Sequence, residues 1–142
     1  MNNIDTATII EKMINGTKTD QIKWVRLSDV FCSYEATNSM LKSYVISNER
    51  GFYLYNKDKS ILTLNQSFSY CAKIDNGFVY LFEYINYYGK AYVIAVQSTE
   101  YSSIVEISRA LENQSKTIEL KYIIESKSDD YINFLKTIVD KF

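Results

Sequence analysis

Histidine is absent from the chain, so any chemistry falls to carboxylates, lysines and two cysteines. That absence excludes imidazole-based triads, histidine metal sites and imidazole acid–base catalysis near neutral pH. No GxxxxGK[ST], GxGxxG or GxSxG motif occurs, and four scattered glycines cannot build a phosphate cradle. Three carboxylate candidates remain. Glu83 interrupts an alternating apolar segment, and a carboxylate buried in such a segment can serve as a general acid. The plainer reading is that it reaches water at a sheet margin or bonds Tyr70. Glycoside hydrolysis needs a second carboxylate at a set distance, and none presents itself. Glu119-Leu120-Lys121 has the acid–spacer–lysine core of a metal-dependent nuclease pattern, in which carboxylates hold Mg²⁺ and the lysine positions water. That reading requires a strand and an upstream aspartate; on a helix the two charges are simply solvated. Asp129-Asp130 reads better as the acidic first turn of a helix than as a metal site. Cys71 lies beside Lys73 on the face inferred below but has no base, and Cys32 and Cys71 read as two small buried thiols. No cofactor is expected.

The elements that must position these groups can be read from periodicity. Ala7, Ile10, Met13 and Ile14 recur at helical spacing, Asp5 or Thr8 can cap the start, and Asn15-Gly16 offers a left-handed stop. Thr8 with Glu11 has the capping-box pattern. Residues 22–27 look like a strand. Residues 28–42 are hardest to read, with Ser28-Asp29 able to cap a short helix carrying Val30, Phe31 and Tyr34. From 43 to 98 the pattern predicts a β meander, with short strands at 44–47, 52–55 and 61–64. A hairpin follows from Phe68 to Ile85 around Asp75-Asn76-Gly77, and a second turn at 87–90 leads to a strand at 92–96. Ser115 can cap a helix running to about Ser126. Ser128 or Asp129 can cap a last helix, in which Ile132, Leu135, Ile138 and Val139 form an apolar stripe.

Alternation along the hairpin sorts its side chains into two faces. A turn at Asn76-Gly77 pairs Asp75 with Phe78, Lys73 with Tyr80, Cys71 with Phe82 and Ser69 with Tyr84. The face carrying Val79, Leu81 and Ile85 continues through Phe68, Ala72 and Ile74 on one side and Ile94 and Val96 on the other. It is aliphatic and forms the natural core under the helices. The opposite face carries a ridge of Phe78, Tyr80, Phe82 and Tyr84, flanked by small or polar residues that include Val93, Ala95 and Gln97. Accessible rings in a row suit a partner protein or a flat ligand. The competing reading has another layer, built from residues 44–64, sealing the ridge as a second core.

Composition narrows the partner. The chain has 142 residues, a formal net charge of −1, 46% hydrophobic and 23% charged residues, which fits one folded domain over 1–142. Thirteen tyrosines accompany seventeen isoleucines and eleven asparagines but only three arginines, a bias that AT-rich codons favour, so tyrosine abundance alone signals no binding role. Lysines are scattered and arginine is scarce, so nucleic acid is not expected. The longest apolar runs are much shorter than the ~20 residues of a membrane span. The polar start lacks the apolar core of a signal peptide, and two lone cysteines suit a reducing compartment, together pointing to the cytoplasm.

The stretches IIEKMINGTKTDQIKW, NGFVYLFEY and DDYINFL resemble pieces of short uncharacterised proteins of AT-rich Gram-positive bacteria and their phages, over about a third of the chain. The resemblance carries no site residues; it implies an accessory role, such as an inhibitor or an immunity or anti-defence factor. The sequence therefore predicts an α+β fold: an antiparallel β meander sheet with an N-terminal helix and two C-terminal helices packed on one face. The expected function is non-enzymatic protein binding through Phe78, Tyr80, Phe82 and Tyr84, with another protein as partner and a homodimer as one form. The alternatives are a metal-dependent nuclease or other carboxylate-based hydrolase, and a small-ligand sensor.

Overall fold

A computed structural model describes residues 5–33, 38–49, 63–86, 89–108 and 111–142. Helix α1 (Thr6–Lys18) starts where the Asp5 carboxylate accepts from the Ala7 amide, and Thr8 donates to that same carboxylate. It does not stop at Asn15-Gly16. Gly16 is helical and buried because the returning chain crosses there: a Cβ on it would fall 2.8 Å from Ile22 Cδ1. Asp20 takes the left-handed conformation instead, at φ 61°. The strand expected at 22–27 shrinks to β1 (Val25–Arg26), and the chain turns at once into α2 (Leu27–Ser33).

Helix α3 (Ser39–Glu49) replaces the strand expected at 44–47. Leu41 and Val45 are spaced for a helix, and Asn38 caps the start by accepting from the Leu41 amide at 3.1 Å. The strand expected at 52–55 lies outside the described residues, as do 61 and 62. Strand β2 (Thr63–Leu64) is followed by a 3₁₀ turn (Gln66–Phe68) capped by Asn65, so β3 (Tyr70–Ile74) begins two residues later than the pattern suggested.

Strands β4 (Gly77–Asn86) and β5 (Gly89–Gln97) form the long centre of the sheet, and β6 (Val105–Glu106) closes one edge. The order is β1-β3-β4-β5-β6, antiparallel throughout, with β2 pairing the far end of β4. The β3–β4 turn sits at Asp75-Asn76, one residue earlier than expected, with Asp75 at φ 52°. Gly77 serves close approach rather than the turn: a Cβ there would lie 2.8 Å from the Gln97 carbonyl oxygen. Cys71 consequently pairs with Tyr80, and Lys73 with Phe78. A displacement of two residues preserves parity, so the side chains within β3 and β4 keep the faces the alternation assigned to them, but Phe68 falls in the 3₁₀ turn and, like Ile74 and Ile85 at the strand ends, is exposed rather than part of the core. On the other flank Val93, Ala95 and Gln97 lie beside the ring-bearing residues as expected.

A second 3₁₀ turn (Leu111–Asn113) leads into α4 (Gln114–Ser126), which has no side-chain cap, and then α5 (Asp129–Lys141), capped by Ser128. Helices α1 and α4 cover the aliphatic face, burying Ile10, Met13, Ile14, Leu120 and Ile124 against Ala72, Val79, Leu81 and Ile94. The architecture is α+β, with an antiparallel sheet, an N-terminal helix and two C-terminal helices. The opposite sheet face is also covered. Leu27 and Val30 of α2, Leu41 and Val45 of α3, and Leu64 of β2 pack there on Phe78, Tyr80, Phe82 and Tyr84. Among the described residues no helix is long and apolar enough to cross a membrane.

Candidate functional sites

The aromatic ridge is a second core, not a surface. Tyr80 and Phe82 have no exposed area and Tyr84 only 1%. The small neighbours Cys71, Val93 and Ala95, read as leaving ring faces open, instead form a trough that takes helix side chains. Tyr44 of α3 stacks on Phe82 at a centroid distance of 5.0 Å, and Tyr80 and Phe82 stack at 5.2 Å. The assignment of Phe78, Tyr80, Phe82 and Tyr84 to partner binding is corrected on this ground: buried rings cannot meet a partner. The competing reading of a covering layer holds, with helices supplying most of it. Polar tips are satisfied inside this core, where Tyr44 and Tyr84 converge on Glu106 Oε1.

Glu83 is buried, at 1% exposure, and is not across from Tyr70, which pairs with Leu81. Its oxygens accept from Asn65 Nδ2 at 2.7 Å and from the Tyr92 hydroxyl at 3.0 Å, with Lys90 Nζ at 3.6 Å. The Asn65 amide also bonds the Glu83 carbonyl, so the carboxylate fastens the β2–β3 connection to β4. Asn65 and Tyr92 between them occupy both carboxylate oxygens, which gives Glu83 a fastening role.

Glu119-Leu120-Lys121 lies within α4. Residues two apart on a helix point to different sides, so the carboxylate and amine do not converge as the nuclease pattern needs. Glu119 is exposed as expected, but Lys121 is not simply solvated. Its Nζ bonds Glu125 at 3.0 Å and lies 4.9 Å from the ring centroids of Tyr92 and Tyr122. The Cys71 thiol is pushed up to about 12 by burial, which makes it a packing group and not a nucleophile. The Cys32 side chain lies outside what can be described. Asp129 and Asp130 occupy the first turn of α5, as read from the sequence. Among the described residues, no three potential metal ligands cluster.

Sequence reasoning missed one feature outright and read a second only in part. The first is a cleft of about 650 Å³ between β1, the end of α1 and the α4–α5 junction. Its walls include Trp24, Tyr70, Arg26 and Lys127, with Asp20, Asp29, Asp129 and Asp130 at the rim. Trp24 Nε1 donates to Thr17 Oγ1 at 2.9 Å, Arg26 pairs with Asp130 at 2.5 Å, and Lys127 bonds Asp20 and the Lys18 carbonyl. The Asp130 hydrogen bond holds the Arg26 guanidinium firmly protonated, while burial raises the Tyr70 phenol. The chain's one tryptophan and one of its three arginines were the available signals.

The second is α5 itself. Its apolar stripe is present at Ile132, Leu135, Ile138 and Val139, extended by Tyr131, Phe134 and Phe142, and all of it is exposed. Phe134 is 63% and Val139 77% accessible. The helix adjoins α4 and is tied to β1 by the Arg26–Asp130 pair, yet it buries none of its own residues. Periodicity announces the stripe but cannot say what covers it. Comparison with protein-family models, with curated proteins and with solved structures returned no match.

Proposed function

We propose that this chain is a non-enzymatic protein-binding module whose contact face is the apolar stripe of α5. The observation that carries the reading is the simultaneous exposure of Tyr131, Phe134, Leu135, Ile138 and Val139 on one helix. A contiguous apolar patch of that kind marks an interaction surface on a folded protein. The reading keeps the expectation of protein binding and moves it from the sheet to the last helix. Inhibition by steric blockade, in the accessory role implied by the resemblance to bacterial and phage proteins, is compatible with a contact surface that carries no catalytic groups. The test is affinity capture from the native host with wild type and a Phe134→Ser, Val139→Ser variant side by side. Loss of partners with unchanged circular dichroism is the expected result; identical capture by both would remove α5 as the contact face.

The cleft supports a second reading, a small-ligand sensor. Its volume falls in the range of roughly 300–1,000 Å³ typical of ligand pockets, and Trp24 and Tyr70 offer aromatic walls beside a guanidinium. A metabolite screen by thermal shift, repeated on Trp24→Ala, addresses it. A stabilising compound whose effect vanishes in the variant is the outcome in its favour.

A further inference from the structure

We infer that the cleft beside Trp24 binds an organic cation, an ammonium carried on an aromatic body. The inference rests on the small-ligand reading above and names the ligand class. The floor of the cleft is apolar and aromatic. Arg26 of β1 and Tyr70 of β3 are cross-strand partners, and Trp24, two residues before Arg26, borders the same helix-covered face. Thr17 of α1 and Ile124 of α4 are buried beside them. Thr17 Oγ1 takes the indole N–H at 2.9 Å, so the indole is held in place with its one polar group already satisfied. What it has left to offer is ring surface, which packs on an apolar body and favours a cation over an anion.

The rim sets the sign of the ligand. Asp20, Asp29, Asp129 and Asp130 meet Lys23, Arg26 and Lys127 there. Two of the cations are already committed, Arg26 to Asp130 at 2.5 Å and Lys127 to Asp20 at 2.9 Å. Asp29 and Asp129 are exposed and form no ion pair among the described residues, which leaves two free acids against Lys23. Helix ends act in the same direction. The last turns of α1 and α4 border the cleft through Thr17 and Ile124, bringing two partly negative ends, whereas the one positive end, that of α5, is capped by Ser128. An anion would have to displace Asp130 from Arg26, or Asp20 from Lys127, and would then face the freed carboxylate. An organic cation displaces nothing.

Trp24 is the chain's one tryptophan, so its emission reports on this cleft alone. The experiment titrates the intact protein with phenethylamine, phenethyl alcohol and phenylacetate, which share an aryl body and differ in charge, reading tryptophan emission and calorimetric heat. The expected result is saturable binding of the amine at about 1 mM, with the alcohol and the acid at least about tenfold weaker. Asp29→Asn combined with Asp129→Asn should weaken the amine about tenfold, and Lys23→Gln should tighten it about twofold by removing the free like charge. All three side chains are exposed, so unchanged circular dichroism is expected of both variants. An amine that binds no tighter than the alcohol, or that ignores the substitutions, overturns the inference. If the alcohol or the acid then binds beside Trp24, the ligand reading of the cleft survives and only the charge class falls. Absence of any response to all three at about 10 mM also overturns the inference, and the metabolite screen alone then decides the sensor reading.

Discussion

Tyr80 donates its hydroxyl hydrogen to Gln97 Oε1 at 2.5 Å, and both side chains are closed to solvent between the sheet and the helices above it. Asn38 completes the group: its Nδ2 donates to Gln97 Oε1 at 3.1 Å and to the Tyr80 oxygen at 3.2 Å, while its Oδ1 caps α3. One asparagine thus starts the helix and fastens it over the aromatic row. Gln97 Nε2 also donates to the Ser102 carbonyl at 3.0 Å, tying in the β5–β6 connection. Tyr80→Phe leaves the packing in place but removes one donor and one acceptor from a buried network. A loss of about 1–2 kcal/mol in chemical denaturation is expected.

Phe82→Ala should be far more damaging. The ring is fully buried, stacked on Tyr44 and Tyr80, and its removal opens a cavity that two helices and a sheet cannot close. Denaturant titration should show a loss of about 3–5 kcal/mol, enough to unfold a marginal domain. A surface position would lose a few tenths, so the size of the effect separates a core role from a recognition role.

The two crowded glycines differ in a measurable way. A Cβ on Gly77 meets the carbonyl oxygens of Gln97 and Ser98 at 2.8 and 2.9 Å, both backbone atoms, with Gln97 held in the β4–β5 ladder by its pairing with Phe78. A Cβ on Gly16 meets the flexible end of Ile22. Gly77→Ala should therefore cost about 1–3 kcal/mol through backbone displacement. Gly16→Ala should cost less, because Ile22 can move and alanine favours the helix by about 1 kcal/mol. Thermal unfolding of the pair checks the order.

Glu83 predicts a contrast between two substitutions. Glu83→Gln keeps an acceptor for Tyr92 or Asn65, whereas Glu83→Ala strands both, and a lost bond to a charged partner typically costs about 1.5–3 kcal/mol. The alanine variant should unfold first, and hydrogen exchange should rise at the β2–β4 pairing before the rest of the sheet.

Alkaline pH should weaken the fold from within. Burial raises the Cys71 thiol from 9.0 to about 12, and it also raises the Tyr44 and Tyr80 phenols. For each group the folded state holds its proton to higher pH than the unfolded chain does. The associated stability is present in full below about pH 9, the unfolded thiol value, and is lost as pH rises toward the folded values. Stability measured between pH 8 and 11 should fall, and Cys71 should resist iodoacetamide at pH 8 until the protein unfolds. Rapid alkylation of Cys71 in the native state would show the thiol to be accessible.

Much of the sheet was legible because a strand has a period of two. That period sorts Val79 and Leu81 from Tyr80 and Phe82, and the sorting survives a turn displaced by one residue, since the register moves by two. The ends of elements were less legible. Gly16 looks like a helix stop in isolation, and only the crossing of Ile22 explains it inside α1. Residues around Tyr44 carry strand-favouring side chains, yet the Asn38 cap and the trough over Phe82 make them a helix.

What the chain's own text determined is which side chains share a face, on the sheet and on α5 alike, because local backbone geometry dictates where successive side chains point. What covers each face depends on contacts between segments far apart in sequence, and local periodicity carries no record of them. Four rings expected at the surface lie under α2 and α3 for that reason, while a helix with an equally clear apolar stripe stands uncovered.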